Sequence, residues 1–170
     1  MNSLNYFPYD SPLGTLLLVS YDQHLIFIKF GTIEEYEQEI IAWAEKHSLP
    51  TNLVESKESL TETISQLDQY FKGERKTFSI PYRFYGTPFQ KKVWQALAEV
   101  EYGKTCSYLD IAKNIDSPKA VRAVGGANNK NPISVIIPCH RVIGKNGKLV
   151  GYGGGLDKKE YLLELERAGV

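Results

Sequence analysis

Cysteine is scarce in this 170-residue chain: only Cys106 and Cys139 occur. Neither has a second cysteine at metal-ligand or thioredoxin-like spacing, which excludes a zinc knuckle, a disulfide framework and a dithiol redox motif. Long apolar runs are missing too. Towards the N-terminus the longest is Leu16–Val19, far short of a membrane span, and no cationic stretch with an apolar core marks a signal peptide. A cytosolic, reducing location is therefore expected, with both thiols free. No internal repeat, low-complexity tract or lipidation signal is present. Net charge is absent as well, since 20 Lys and Arg balance 20 Asp and Glu. Taken alone, that balance argues against a polyanionic partner.

The balance hides a division. Residues 1–85 carry seven basic and twelve acidic side chains, a net of −5; residues 86–170 carry thirteen and eight, a net of +5. Within residues 102–148 there are eight basic residues and two acidic ones, Asp110 and Asp116. Such asymmetry fits a chain whose second half faces an anion. It also fits a basic face that pairs with the acidic half.

The first half, residues 1–85, reads as a small α+β scaffold. Leu4–Tyr9, Thr15–Tyr21 and His24–Phe30 are aromatic and branched runs separated by turn residues, hence strands. Thr32 with Glu35 forms a capping box ahead of a helix whose apolar stripe is Ile33, Tyr36, Ile40 and Trp43 or Ala44. Leu60, Ile64, Leu67 and Phe71 repeat at helical spacing up to Gly73. Phe78–Phe84 is expected to be extended, with Pro81 at an edge or bulge. No cluster of reactive side chains falls in this half.

At Tyr85-Gly86 the character changes, and residues 86–170 are read as a second domain. Thr87 and Pro88 cap a helix carrying Phe89, Val93, Trp94, Leu97 and Val100, expected to end near Gly103. Ser107 with Asp110 opens a short helix to about Ile115. Ser117-Pro118 opens another, with Ala120, Val121, Ala123 and Val124, expected to stop at Gly125-Gly126. Two short helices about the Asp116-Ser117 turn suggest a helix-turn-helix. Ile133–Ile137 is an apolar run suited to a buried strand, and it delivers Pro138-Cys139-His140-Arg141.

That last quartet carries the chemistry. A thiol with His and Arg beside it is placed for nucleophilic work, because nearby positive charge lowers a thiol's pKa towards neutrality and the thiolate reacts. The bland reading is that most buried cysteines are inert small hydrophobes. A lone His140 is more often structural, and neighbours in extended chain point to opposite sides, so adjacency alone establishes no Cys–His contact. Cys106, with no histidine near it, reads as a packing residue.

Asn131-Pro132 followed by Ile136-Ile137-Pro138-Cys139-His140-Arg141-Val142-Ile143 resembles the acceptor-cysteine signature of the O6-alkylguanine-DNA alkyltransferases. Gly86-Thr87-Pro88-Phe89-Gln90, Val93-Trp94, Ser107-Tyr108, Ala120-Val121-Arg122-Ala123-Val124-Gly125, Gly151-Tyr152-Gly153-Gly154-Gly155-Leu156 and Leu162-Leu163-Glu164-Leu165-Glu166 follow the family's order and spacing. Residues 86–166 match closely, and the first half loosely, through Ser11-Pro12-Leu13-Gly14. The resemblance implies an N-terminal RNase-H-like α+β domain and a C-terminal helical, winged-helix-like domain. It implies that Cys139 accepts the alkyl group, that His140 takes the thiol proton through a water, and that Glu166 holds His140. Tyr108 would help protonate the leaving guanine and turn the nucleotide out, and Arg122 would enter the minor groove and fill the gap. Asn131 would pin the turn at the cysteine. Arg122, Tyr108, Asn131, Arg141 and Lys145 are expected at the DNA, and Val142, Tyr152 and Gly153 around the base pocket.

Departures from the family pattern sharpen the expectation. The zinc that some members bind in the N-terminal domain needs Cys and His. Here that half has only His24 and His47, so no metal and no cofactor are expected. The cysteine-rich regulatory domain that precedes adaptive-response members is not expected either. The non-enzymatic relatives that carry tryptophan at the acceptor position are excluded by Cys139. Gly153 stands where some members have a serine that donates to O6. The sequence thus points to a monomeric, membrane-free repair protein for O6-alkylguanine, and O4-methylthymine, in double-stranded DNA. Its rivals are a winged-helix DNA-binding protein without chemistry and a cysteine hydrolase.

Overall fold

The computed structural model describes residues 2–144, 147–152 and 154–169. The chain divides into two compact units, Met1–Tyr85 and Gly86–Val170.

The first unit is built on a four-stranded sheet. Strands β1 (Leu4–Ser11), β2 (Gly14–Tyr21) and β3 (His24–Phe30) form an antiparallel meander. Strand β4 (Leu53–Glu55) lies parallel to β1, giving the order β3-β2-β1-β4. Turn chemistry sets the register. Ser11 Oγ donates to Gly14 O at 2.7 Å and accepts from Leu13 N at 3.0 Å, while Gly14 sits at φ +96°. Asp22 and Gln23 are both left-handed, at φ 50° and 63°, as a two-residue hairpin loop between right-twisting strands requires.

Helices cover both faces of this sheet, which explains why central strand β2 is buried continuously from Leu16 to Ser20 rather than alternately. Helix α1 (Ile33–Lys46) buries Ile40 and Ala44 against Leu4, Leu17, Val19, Ile26 and Phe27. Helix α2 (Thr61–Phe71), entered through a 3₁₀ turn at Glu58–Leu60, buries Leu67, Tyr70 and Phe71. Tyr9 ties β1 to it by donating to Asp68 Oδ1 at 2.6 Å and stacking on Phe71. The expected extension at Phe78–Phe84 is a single bridge from Tyr82 to the edge of β3. There Leu25 N donates to Pro81 O and Arg83 N to Leu25 O, so the missing N–H of Pro81 is not needed.

The second unit is helical: α3 (Pro88–Ala98), α4 (Tyr108–Asn114), α5 (Val121–Asn129) and α6 (Leu156–Ala168). The two-residue strands β5 (Cys106–Ser107) and β6 (Val142–Ile143) pair in parallel. Thr87 and Ser107 cap α3 and α4 with reciprocal bonds to Gln90 and Asp110. Three expectations are corrected. Helix α3 stops at Ala98, not near Gly103. Helix α5 begins at Val121 and runs through Gly125-Gly126 to Asn129. Packing overrides the weak helix propensity of glycine there, because Val124, Ala127 and Asn128 are buried and Trp94 Nε1 donates to Ala127 O at 2.8 Å. Ile133–Ile137 is no strand but a buried loop of tight turns, with Ile136 N donating to Ser134 O and Ile137 N to Ile133 O. Val135 within it is left-handed, at φ 73°. Among the described residues, no helix is long and apolar enough to cross a membrane.

Candidate active site

The loop after α5 delivers the thiol, and Asn131 shapes that loop. Its amide Nδ2 donates to Ile137 O at 2.8 Å, and its Oδ1 accepts from Ile133 N at 3.1 Å. One side chain thereby supplies the backbone partners that a ladder would otherwise give a buried segment. A 3₁₀ turn follows at Cys139–Arg141, held by Cys139 N to Ile137 O and Arg141 N to Pro138 O. In such a turn successive side chains diverge by about 120°, so Cys139, His140 and Arg141 leave the backbone in three directions. All three are buried.

Helix α6 meets two of them. His140 Nε2 lies 2.7 Å from Glu166 Oε2. Arg141 Nε donates to Glu166 Oε1 at 2.8 Å and Nη2 to Oε2 at 3.0 Å, while Nη1 donates to Val100 O at 2.6 Å. Burial would raise the Glu166 pKa, but the bonds from His140 and Arg141 outweigh it and hold the carboxyl at about 2. With Glu166 ionised, Nε2 of His140 is the protonated nitrogen. His140 Nδ1 is buried and has no hydrogen-bond partner among the described residues. Burial lowers the His140 pKa, against the pull of Glu166, so the ring is a neutral base.

The thiol corrects a sequence expectation. Burial pushes Cys139 up to about 11, only partly offset by the Asn131 amide and the Lys159 ammonium. The resting group is a thiol, because desolvation of the thiolate exceeds the nearby positive charge. At neutral pH the thiolate is a minor form. A base must therefore act together with the electrophile.

Lys159 is the buried residue that the sequence reading missed. Its Nζ donates to Val142 O at 2.6 Å and Val150 O at 2.8 Å, tying β6 to the segment before Tyr152. Burial lowers its pKa, against the attraction of Cys139. A signal existed: Lys159, Leu162, Leu163 and Glu166 fall at i, i+3, i+4 and i+7, so a lysine and a glutamate share the apolar face of one helix.

The remaining expected residues separate. Tyr108, the first residue of α4, donates to Val150 O at 3.4 Å, and burial followed by the nearness of Cys139 raises its pKa. Tyr152 has a hydroxyl buried near Cys139, and burial raises its pKa strongly. Val142 is fully buried. Arg122 is exposed on the first turn of α5. Of the residues expected at the DNA, Arg141 is engaged by Glu166 and Val100, and Asn131 is buried and engaged by its own loop. Lys145 and Gly153 lie outside the described residues. Cys106 is half-buried, and burial, then Asp110, pushes its thiol up to about 11.

A buried thiol one residue from a carboxylate-bound histidine, following two short helices, is the arrangement of a thiol-dependent protein on a helical scaffold. Comparison with known proteins supplies the class, a methyltransferase acting on DNA. Residues 4–84 match the family model for the ribonuclease-like domain of 6-O-methylguanine DNA methyltransferase, and residues 88–168 that for its DNA binding domain. A methylated-DNA–protein-cysteine methyltransferase of Methanosarcina acetivorans is 48% identical over 161 residues, 95% of this chain and 97% of that protein. One from Mycobacterium leprae is 46% identical over 158 residues, 93% of this chain and 89% of that protein. The crystal structure of Mycobacterium tuberculosis O6-methylguanine methyltransferase superposes with a TM-score of 0.84 at 40% identity, covering 98% of this chain and 94% of that one. A structure of the M. tuberculosis protein in complex with DNA gives 0.82 at 37%, covering 99% and 94%. The chain belongs to the 6-O-methylguanine DNA methyltransferase family.

Proposed function

We propose that this protein repairs O6-alkylguanine in double-stranded DNA by one irreversible transfer of the alkyl group to Cys139 Sγ. The observation that carries the reading is the buried thiol one residue from a neutral histidine, whose Nε2 is held by Glu166 and whose Nδ1 is left to accept a proton. Nδ1 takes the thiol proton through one water as the sulfur attacks the alkyl carbon. The C–O6 bond breaks, its electron pair returns to guanine, Tyr108 delivers a proton to the base, and solvent returns a proton to Tyr108 as His140 releases the one it took from sulfur. Overall, the proton lost by sulfur replaces the alkyl group on guanine. The product is a thioether, which water does not cleave, so each molecule acts once.

The substrate atom is stacked inside a duplex, so the nucleotide must first turn out. Exposed Arg122 on α5 is suited to fill the gap. The basic stretch from 102 to 148 supplies phosphate contacts, and O4-methylthymine, with the same O-alkyl chemistry, is a second substrate. A monomer in a reducing cytosol is the expected working form.

The test is the intact mass of the protein after exposure to a duplex carrying O6-methylguanine. A gain of one methylene, located to the peptide holding Cys139 and absent from Cys139→Ala, is expected. Binding with no mass gain would instead favour a DNA-binding protein without chemistry. A methyl group on Cys106 would overturn the assignment.

A further inference from the structure

Arg141 is a buried cation that the transfer chemistry above does not use. Its guanidinium takes both oxygens of Glu166 in a fork, with Nε on Oε1 and Nη2 on Oε2. The remaining arm, Nη1, is anchored on Val100 O just beyond α3, and the Tyr102 ring lies 5.7 Å from its Cζ. Oxygen Oε2 is therefore shared between Arg141 and His140. A carboxylate that faced the imidazole alone would draw a second proton onto the ring, and that proton would occupy Nδ1, the nitrogen needed to receive the thiol proton.

We propose that Arg141 is a positioning residue for His140: it fixes the Glu166 carboxylate against Nε2 and offsets part of the negative charge that draws a second proton onto the ring. The inference rests on the reading of His140 as the proton acceptor of Cys139. The charged and titratable groups around the ring support a neutral state. From α6 come Glu166 and the Lys159 ammonium, and from its own turn the Cys139 thiol and Arg141. Tyr102 and Tyr152 stand near Glu166, with phenol pKa values raised chiefly by burial. Among the described residues that act on the ring there are two cations against one anion, so an imidazolium would be a third positive charge in a buried site. Burial lowers the His140 pKa and both Arg141 and Lys159 add to that, while Glu166 opposes it. Removing Arg141 leaves the pull of Glu166 less opposed, so the His140 pKa rises.

The chemical consequence lies in the acid limb of the reaction. A site with His140 protonated and Cys139 still a thiol cannot transfer, so the His140 pKa sets the pH below which the protein is silent. Arg141 keeps that limit low.

The experiment follows the imidazole signals of His140 in the full-length, DNA-free protein by ¹⁵N–¹H NMR against pH. Only three histidines are present, and a His140→Gln sample assigns the signal. In the wild type His140 should remain neutral throughout the neutral range. In Arg141→Met its titration should move upward by about one unit or more, and the acid limb of transfer from free O6-benzylguanine should move with it. Arg141→Lys, which keeps the charge and loses the fork, should leave the titration low while slowing transfer. An unshifted His140 in a folded Arg141→Met variant would overturn the proposal. If Arg141→Met does not fold, a protonated His140 at neutral pH in Arg141→Lys would overturn it equally. The NMR titration reads the ring's charge whether or not Cys139 is the acceptor. Failure of the functional reading would instead appear as an unmodified Cys139 in the wild type.

Discussion

Glu166→Gln is the substitution whose cost the structure lets one work out most fully. The carboxylate is buried and receives three N–H donors at 3.0 Å or less, two from Arg141 and one from His140. Glutamine keeps the shape but offers one acceptor oxygen, and it turns an N–H₂ towards donors. The guanidinium is then a buried cation without its anion. Breaking such a pair from one side costs about 3–5 kcal/mol, a large share of the roughly 5–15 kcal/mol that holds an ordinary domain together. The pH dependence adds a signature specific to the carboxylate. Its folded pKa of about 2 lies below the ordinary 4.5. Its stabilisation is therefore fully present above 4.5 and lost as pH falls through 2. At about 1.4 kcal/mol per pH unit, that loss is about 3 kcal/mol. Glutamine has nothing to protonate. His140, buried neutral, adds an acid loss to both proteins, so the difference between them is what matters. Urea unfolding at pH 7 should show the variant less stable by about 3–5 kcal/mol, and the gap should close by most of that amount between pH 4.5 and 2. A loss below about 1 kcal/mol at pH 7, or a gap that does not change in acid, would refute the assignment of Glu166 as an ionised anchor.

Other predictions concern the DNA and the loop. Arg122→Ala should slow transfer from duplex DNA far more than transfer from free O6-benzylguanine, because only the duplex needs a nucleotide turned out, at a cost of a few kcal/mol; equal losses would remove Arg122 from that step. Asn131→Ala removes the acceptor of Ile133 N and leaves Ile137 O with the Cys139 N–H alone, so a destabilisation of about 1–3 kcal/mol should appear in thermal unfolding, together with slower transfer. Affinity for duplex DNA should fall linearly with log salt, by about 0.9 per phosphate neutralised and only a few units overall, given the zero net charge; a salt-independent constant would contradict the basic stretch as the contact. Titration against excess methylated duplex should plateau at one methyl group per molecule, and continued turnover would refute the single transfer.

Local signals in the sequence were strong where a few residues decide the outcome. The three long strands, the caps at Thr87 and Ser107 and the α+β-then-helical order follow from alternation, capping chemistry and apolar spacing. Strand β4 did not show itself, because three residues beside β1 carry no pattern of their own. Gly125-Gly126 read as a stop because propensity speaks against glycine in a helix, whereas Trp94, thirty-three residues from Ala127, holds that helix in place. The segment 133–137 has the composition of a strand, but tight turns and the Asn131 side chain satisfy its backbone. Local patterns also could not show what Arg141 touches. A basic residue in a basic stretch suggests a phosphate contact until α6 folds back over it.

The depth at which Cys139 lies also bears on how long the protein lasts. On the proposed single transfer, a molecule is lost if any stray electrophile or oxidant reaches its thiol first. Such agents attack thiolates, and they attack exposed ones fastest. Cys139 is 4% exposed and protonated at rest. Peroxide or a small alkylating agent in solution thus meets neither the surface nor the anion it requires. On the proposed mechanism, only a substrate that presents a carbon in line with the sulfur makes proton transfer to His140 productive. The burial that slows the intrinsic chemistry of the thiol acts as a chemical safety catch, preserving the protein for the lesion.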